Sequence, residues 1–189
     1  MNHRERVVAA FRHQPVDRLP IDLGGMRSTG IMAIAYNRLK KHLGINEGEL
    51  LVFDTGQQLA FVEEPLRQMF GLDVVILDGG LLEDWRPYTL PDGTAAKICA
   101  SYLTEADGEG GEYALDQQGN RTAHRPAASF YFDSITPPPL AYAGSISDLD
   151  KFPEHVLSDE YLLSLQKEAK RLSEETDYAI LGSFGGAFL

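Results

Sequence analysis

The sequence of 189 residues has a single cysteine, Cys99, so an intramolecular disulfide is excluded. The neighbours Ile98 and Ala100 give that thiol no activating partner, and Cys99 reads as a small packing residue. Basic residues are few, 17 against 28 acidic ones, which leaves a formal net charge of −11. A surface that neutralises phosphates needs clustered Lys and Arg, so nucleic acid is excluded as a partner. No apolar run approaches the ~18 residues of a membrane span, and the N-terminal MNHRERVVAAFRHQPVDR has neither an apolar core nor a small-residue cleavage site. The expected location is therefore the cytoplasm. Neither GxGxxG nor a Walker pattern occurs, and the five histidines form no His-x-x-x-His or His-x-Cys pairing with one another or with Cys99. A metal site built from this stretch alone is not expected.

What is present is an ordinary globular composition, 43% apolar and 24% charged. Asn2 and Glu5 form a capping pair ahead of Val7, Val8 and Phe11, and Pro15 ends that helix. RLPIDLGG reads as a short strand closing on Asp22. Residues 30–43 carry Ile31, Ile34, Ala35 and Leu39 at helical spacing up to Gly44. LLVF is a second strand; Leu59, Val62, Leu66, Met69 and Phe70 make an apolar helical stripe stopped by Gly71; DVVILD is a third strand. Apolar strands alternating with amphipathic helices point to parallel pairing and an α/β fold.

Between about 81 and 136 the pattern changes. PDGT at 91–94 and DQQGN at 116–120 are turn signals between β-prone pieces such as AKICASYL and ASFYFDSI, and DGEGG at 107–111 is a flexible tip. This predicts an antiparallel excursion inserted into a core formed by 1–80 and 140–189, with Trp85, Tyr88, Tyr102, Tyr113, Phe130, Tyr131 and Phe132 making a small core of its own. Pro137–Pro139 end it in an extended connection. Ser158, Asp159 and Glu160 open a helix whose Leu162, Leu165, Ala169 and Leu172 recur on one face, and DYAILG is a last strand.

The proposed strand ends carry Asp22, Asp54, Asp78 and the segment Ser183–Gly186. In parallel α/β folds ligands bind outside the carboxyl ends of strands, where loops vary without disturbing the core. Asp54, followed by Thr55 and Gly56 rather than a helix start, is the candidate catalytic residue. Asp22, Arg27, Gln57, Gln58, Gly185 and Gly186 are candidate substrate-binding residues. Asp22 and Asp78 also fit as turn residues, Arg27 as a solvated surface cation, and the glycine pairs as points of close backbone packing.

The order of HRERVVAAFRHQPVDRLPIDLGG, TGIMAIAYNRLKKHLG, VFDTGQQLAFVEEPLRQMFGLDV and TDYAILGSFGGAF resembles the uroporphyrinogen decarboxylase superfamily, and in particular its decarboxylase-like branch of cobalamin-dependent methyltransferases. The resemblance runs from about residue 3 to the end and is loosest across the excursion. It implies the N-terminal half of a (β/α)8 TIM barrel, with the site at the C-terminal mouth. Phe53-Asp54 matches the family's aspartate after the second strand, which in the decarboxylase contacts pyrrole nitrogens. The decarboxylase's arginine-rich segment after the first strand is here LGGMRST, with Arg27 alone, which is poor provision for a polycarboxylate.

The resemblance therefore implies a corrinoid-dependent methyltransferase that moves a methyl group between a corrinoid protein and a small-molecule or thiol acceptor. Porphyrinogen decarboxylation is the alternative activity, and an inactive fragment or association module that pairs its exposed barrel edges is a third reading. In the methyltransferase branch, zinc held by His and Cys activates a thiol, and those ligands belong to the barrel's second half. Zinc and a partner-borne corrinoid are thus implied for a longer parent, none is expected to be held by this segment alone, and the 189-residue chain by itself is expected to be inactive.

Overall fold

The computed structural model describes residues 1–82, 84–137, 145 and 158–182. Among them the chain forms helices α1 (His3–Phe11), α2 (Ala33–His42), α3 (Glu64–Phe70) and α4 (Asp159–Glu175). The strands are β1 (Ile31–Met32), β2 (Leu51–Asp54), β3 (Leu59–Ala60), β4 (Val74–Leu77), β5 (Trp85–Thr89), β6 (Ala95–Cys99), β7 (Leu103–Ala106), β8 (Glu112–Leu115), β9 (Arg121–Arg125), β10 (Asp133–Ser134) and β11 (Ala179–Gly182). They make three sheets, ordered β1-β3-β2-β6-β5, β10-β9-β8-β7 and β11-β4. The architecture is mixed α/β, and the described strands do not close into a barrel.

Several elements follow directly from local chemistry. α1 opens on a capping box in which the Asn2 side chain accepts the Glu5 N–H and Glu5 reaches back to the Asn2 N–H. α3 stops at Gly71, whose φ of 58° is the left-handed conformation that glycine adopts without cost. α4 starts at Ser158, which accepts the Tyr161 N–H, and buries Leu165 and Leu172 against Val75 and Leu77. The strand expected in DYAILG is β11, paired in parallel with β4 from Ala179↔Val74 to Gly182↔Leu77.

Two expectations about the elements before β4 are corrected. Leu59 and Val62 do not belong to a helix. After β2 the chain reverses through residues 55–58 and Leu59–Ala60 pairs back, antiparallel, on β2 and β1, with a bulge between Val52 and Asp54. The reversal is built locally: Asp54 accepts the Gln57 N–H, and Gln58 takes a left-handed φ of 55°. RLPIDLGG contains no strand; Ile21 only brackets Asp73, accepting its N–H and donating its own N–H to its carboxylate.

The excursion is not one unit. The hairpin β5–β6 joins the main sheet through the parallel pair β2–β6, and Tyr88, Leu90, Ala96 and Ile98 are buried with Tyr36, Val52, Leu66 and Leu72. The meander β7–β10 is the separate antiparallel part. Its aromatics are accordingly divided: Trp85 packs on Phe53, Leu59 and Ile76, Tyr102 packs on the main core, and Phe130 and Tyr131 are exposed. The proline connection beyond Pro137 and the segment 146–157 lie outside the described residues.

The N-terminal end of β4 is held by a buried carboxylate. Asp73 is fully buried and accepts hydrogen bonds from Arg6 Nη1 (2.6 Å), Arg18 Nη1 and Nη2 (2.6 and 2.9 Å) and the Ile21 N–H (2.8 Å), with His3 Nδ1 at 2.8 Å. Burial by itself would raise its pKa, but the bonds from Arg18, Ile21, His3 and Arg6 outweigh burial and bring it down to about 2. Arg4 adds bonds to the carbonyls of Ser173, Thr176 and Tyr178, so α1 is tied to both β4 and the α4–β11 connection.

Asp73→Asn is expected to lower the unfolding free energy by about 3 kcal/mol, because it takes the charge from a buried site on which Arg6, Arg18 and His3 converge. The wild-type contribution is fully present above the unfolded-state pKa near 4 and is lost as pH falls through about 2. Urea unfolding at stepped pH should show the variant losing roughly 2 kcal/mol less than the wild type across that window, the share that Asp73 contributes.

Candidate functional site

β4 begins after Asp73 and ends before Asp78, so one strand carries a carboxylate at each end. At the carboxyl end Asp78 meets Asp54, the last residue of β2, across the side chain of Arg27. Arg27 Nε lies 2.8 Å from Asp54 Oδ2, and its Nη1 lies 2.7 Å from Asp78 Oδ2. The carboxylates are well covered, with side-chain exposures of 13% and 5%, while the arginine at 39% forms the solvent side of the triad. The three groups sum to a single negative charge, with the guanidinium 5.8 Å from the centre of the buried Phe53 ring.

The loop that brings Arg27 there is braced by Asp22. Its Oδ1 accepts the Gly25 N–H and its Oδ2 accepts the Thr29 hydroxyl, while the Gly24 N–H bonds to the Thr29 carbonyl. Gly24 has φ +80°, and a Cβ on Gly25 would fall 2.5 Å from Asp22 Oδ1 and 2.7 Å from Val74 Cγ1. Close packing, not an anion cradle, explains this glycine pair. Both Asp22 oxygens accept hydrogen bonds within its own loop, the loop that carries Arg27.

Asp54 sits where the sequence puts it, at a strand end facing other polar groups. Its Oδ1 also accepts the Gln57 N–H, which ties the turn to the triad. The Gln57 side chain is exposed. Gln58 is completely buried, and among the described residues neither its Oε1 nor its Nε2 has a hydrogen-bond partner. Gly185 and Gly186, with Ser183, lie outside the described residues.

Asp78 and Tyr102 are the residues that sequence reasoning missed here. The Gly79-Gly80 after Asp78 reads as a turn signal, and the chain does continue into a short 3-10 turn, Gly79–Leu82. The usable signal was the shared position of Asp54 and Asp78 at strand ends. Tyr102 comes from the excursion, which reaches the site through the Phe132 N–H bonding to the Gly56 carbonyl and an edge contact between the Tyr102 and Phe132 rings. Burial, then the negative charges of Asp54 and Glu112, push the Tyr102 phenol up to about 12. The phenol is protonated at neutral pH.

Chemically the arrangement suits hydrogen-bond acceptance or charge pairing with a group that carries N–H donors or positive charge. A bound carboxylate would have to compete with two aspartates for Arg27. The implied zinc does not fit these residues: among those described, no three His, Cys, Asp or Glu side chains converge as a metal site, and His3 and His124 are directed at Asp73 and Asp107.

Arg27→Gln is expected to cost about 1–3 kcal/mol of stability, since two covered carboxylates lose their shared counter-charge. Denaturant midpoints should show it, and adding Asp78→Asn to Arg27→Gln should cost less than Asp78→Asn alone, the mark of coupled partners.

Compared with family models, with curated proteins and with solved structures, the chain gives no match.

Proposed function

We propose that the chain is part of a uroporphyrinogen decarboxylase-like protein acting as a corrinoid-dependent methyltransferase, and that it contributes the substrate-facing rim of a (β/α)8 barrel. The observation that carries this reading is the Asp54–Arg27–Asp78 triad at the carboxyl ends of β2 and β4. Support for the barrel comes from the parallel pair β4–β11, with α4 packed against β4 in the connection between them. Support for methyl transfer over decarboxylation comes from the state of Arg27, a guanidinium already balanced by two aspartates and ill suited to gathering the carboxylates of a porphyrinogen.

In this reading Asp54 and Asp78 hold the polar or cationic end of a small substrate, Arg27 keeps their combined charge tolerable before binding, and Tyr102 donates a hydrogen bond from a phenol that remains neutral. The corrinoid is a co-substrate carried by a partner protein and supplies or receives the methyl group. Since the described residues do not fit zinc, no step here is assigned to a metal.

The protein that carries this chain is expected to consume methylcobalamin in the presence of a thiol or small methylated compound, followed by the cobalamin absorbance change, and to yield no coproporphyrin from uroporphyrinogen. Asp54→Asn preserves an oxygen for the Gln57 N–H while removing the charge, so the fold should persist and the rate fall on the order of 100-fold. Turnover of uroporphyrinogen, or an unchanged rate in Asp54→Asn, would count against the proposal.

A further inference from the structure

The turn after β2 concentrates its unfavourable features on one residue. Among the described non-glycine residues only His13 and Gln58 take a left-handed φ, and His13 is exposed whereas Gln58 is completely buried. No other described residue buries all of its side-chain polar atoms without a hydrogen-bond partner. Two independent costs, a left-handed backbone and an unpaired amide in the core, thus fall on the same position. An apolar side chain would remove the second cost. The glycine of this turn stands two positions earlier, at Gly56, where it does not relieve the first.

Few bonds hold the turn in this state. The Gln57 N–H donates to Asp54 Oδ1 at 2.9 Å, and the Phe132 N–H donates to the Gly56 carbonyl at 3.0 Å. The peptide between Gln57 and Gln58 makes no hydrogen bond among the described residues, at its C=O or at its N–H. Beyond it the chain is firmly held: the Gln58 carbonyl accepts the Ala33 N–H, the Phe61 N–H donates to the Leu51 carbonyl, and β3 is paired on both sides, with β1 and with β2. The turn can therefore rearrange between fixed ends for the loss of two hydrogen bonds.

The geometry points to the 55–58 turn as a two-state gate on Asp54. In the state described, the Gln57 N–H occupies Asp54 Oδ1 and Gln58 is withdrawn into the core. In the second state both bonds open, Gln58 leaves the left-handed region with its amide in water, and Oδ1 becomes available to an N–H donor on a ligand. The costs gathered at Gln58 narrow the gap between the states, so the second is held as a minor population. Asp54 Oδ2 stays on Arg27 in both, which keeps the carboxylate in place while its other oxygen is released. The gating role rests on the reading of Asp54 as a substrate-facing carboxylate; the existence of two states does not.

NMR relaxation dispersion on the chain tests this. The amides of Gly56, Gln57, Gln58 and Phe132 should share one exchange process on the μs–ms timescale, with a minor population of about 0.1–10%, while those of Ala33 and Phe61 stay flat. Gln58→Met keeps the length of the side chain and removes the unpaired amide. It should lower the minor population about tenfold and raise the denaturant midpoint, the opposite sign to most substitutions of a buried residue. Gln58→Glu at neutral pH places an unpaired carboxylate at the same position; the fold should persist with the open turn as its major state, and the Gln57 and Phe132 amides should lose their protection from hydrogen exchange. Absence of dispersion at the four wild-type amides, a lower midpoint for Gln58→Met, or loss of the whole fold in Gln58→Glu would overturn the assignment. A chain that shows the exchange yet moves no methyl group would retain the gate and lose only the proposed activity.

Discussion

The buried carboxylate of Asp73 is the constraint on which the arrangement depends. Arg6 and His3 from α1, and Arg18 with the Ile21 N–H from the following loop, all converge on it at the point where β4 begins. A lone buried charge would be strongly unfavourable; three cationic or polar side chains and a backbone amide make it an anchor instead. The same contacts place Ile21 beside β4, and hence set where the Gly24–Gly30 loop leaves the core. The strand that starts on this anchor delivers Asp78 at its other end. One end of β4 is therefore closed and fully paired, while the other presents charge to solvent.

At that open end, position is achieved by short-range bonds in series. Asp22 braces the loop, the loop carries Arg27, and Arg27 spans Asp54 and Asp78, whose strands are not hydrogen-bonded to each other. The triad is thus a cross-link between the five-stranded sheet and the β4–β11 pair, as well as a polar site. The meander approaches the same place from the far side of the sequence, through Phe132 on Gly56 and Tyr102 near Asp54. Nothing in this requires the meander to share a core with the rest; it needs only to cover the turn.

Elements governed by near neighbours were legible. The Asn2 capping box, the Gly71 stop, the α4 stripe from Ser158 and the apolar runs of β2 and β4 each follow from residues within a few positions. The misreadings have a common cause. Leu59 and Val62 match helical spacing with Leu66, yet they are buried because β3 folds back on β2, a pairing decided by the Asp54 and Gln58 turn. Likewise Tyr88 and Tyr102 look like the core of a local β unit, but the parallel pairing of β6 with β2 draws them into the main core. Periodicity reports that a residue is buried, not against what.

The sequence by itself determined the α/β composition, the antiparallel character of the excursion and the presence of polar groups at strand ends, because capping, turn chemistry and apolar spacing are local. It singled out Asp54 and Arg27 separately and left Asp78 as a turn residue. Only the tertiary structure decided that these three form one ionic group and that Asp22 braces the loop. The physical reason is that charge pairing acts across a few ångströms of space, between residues that lie tens of positions or more apart along the chain and whose meeting depends on strand order.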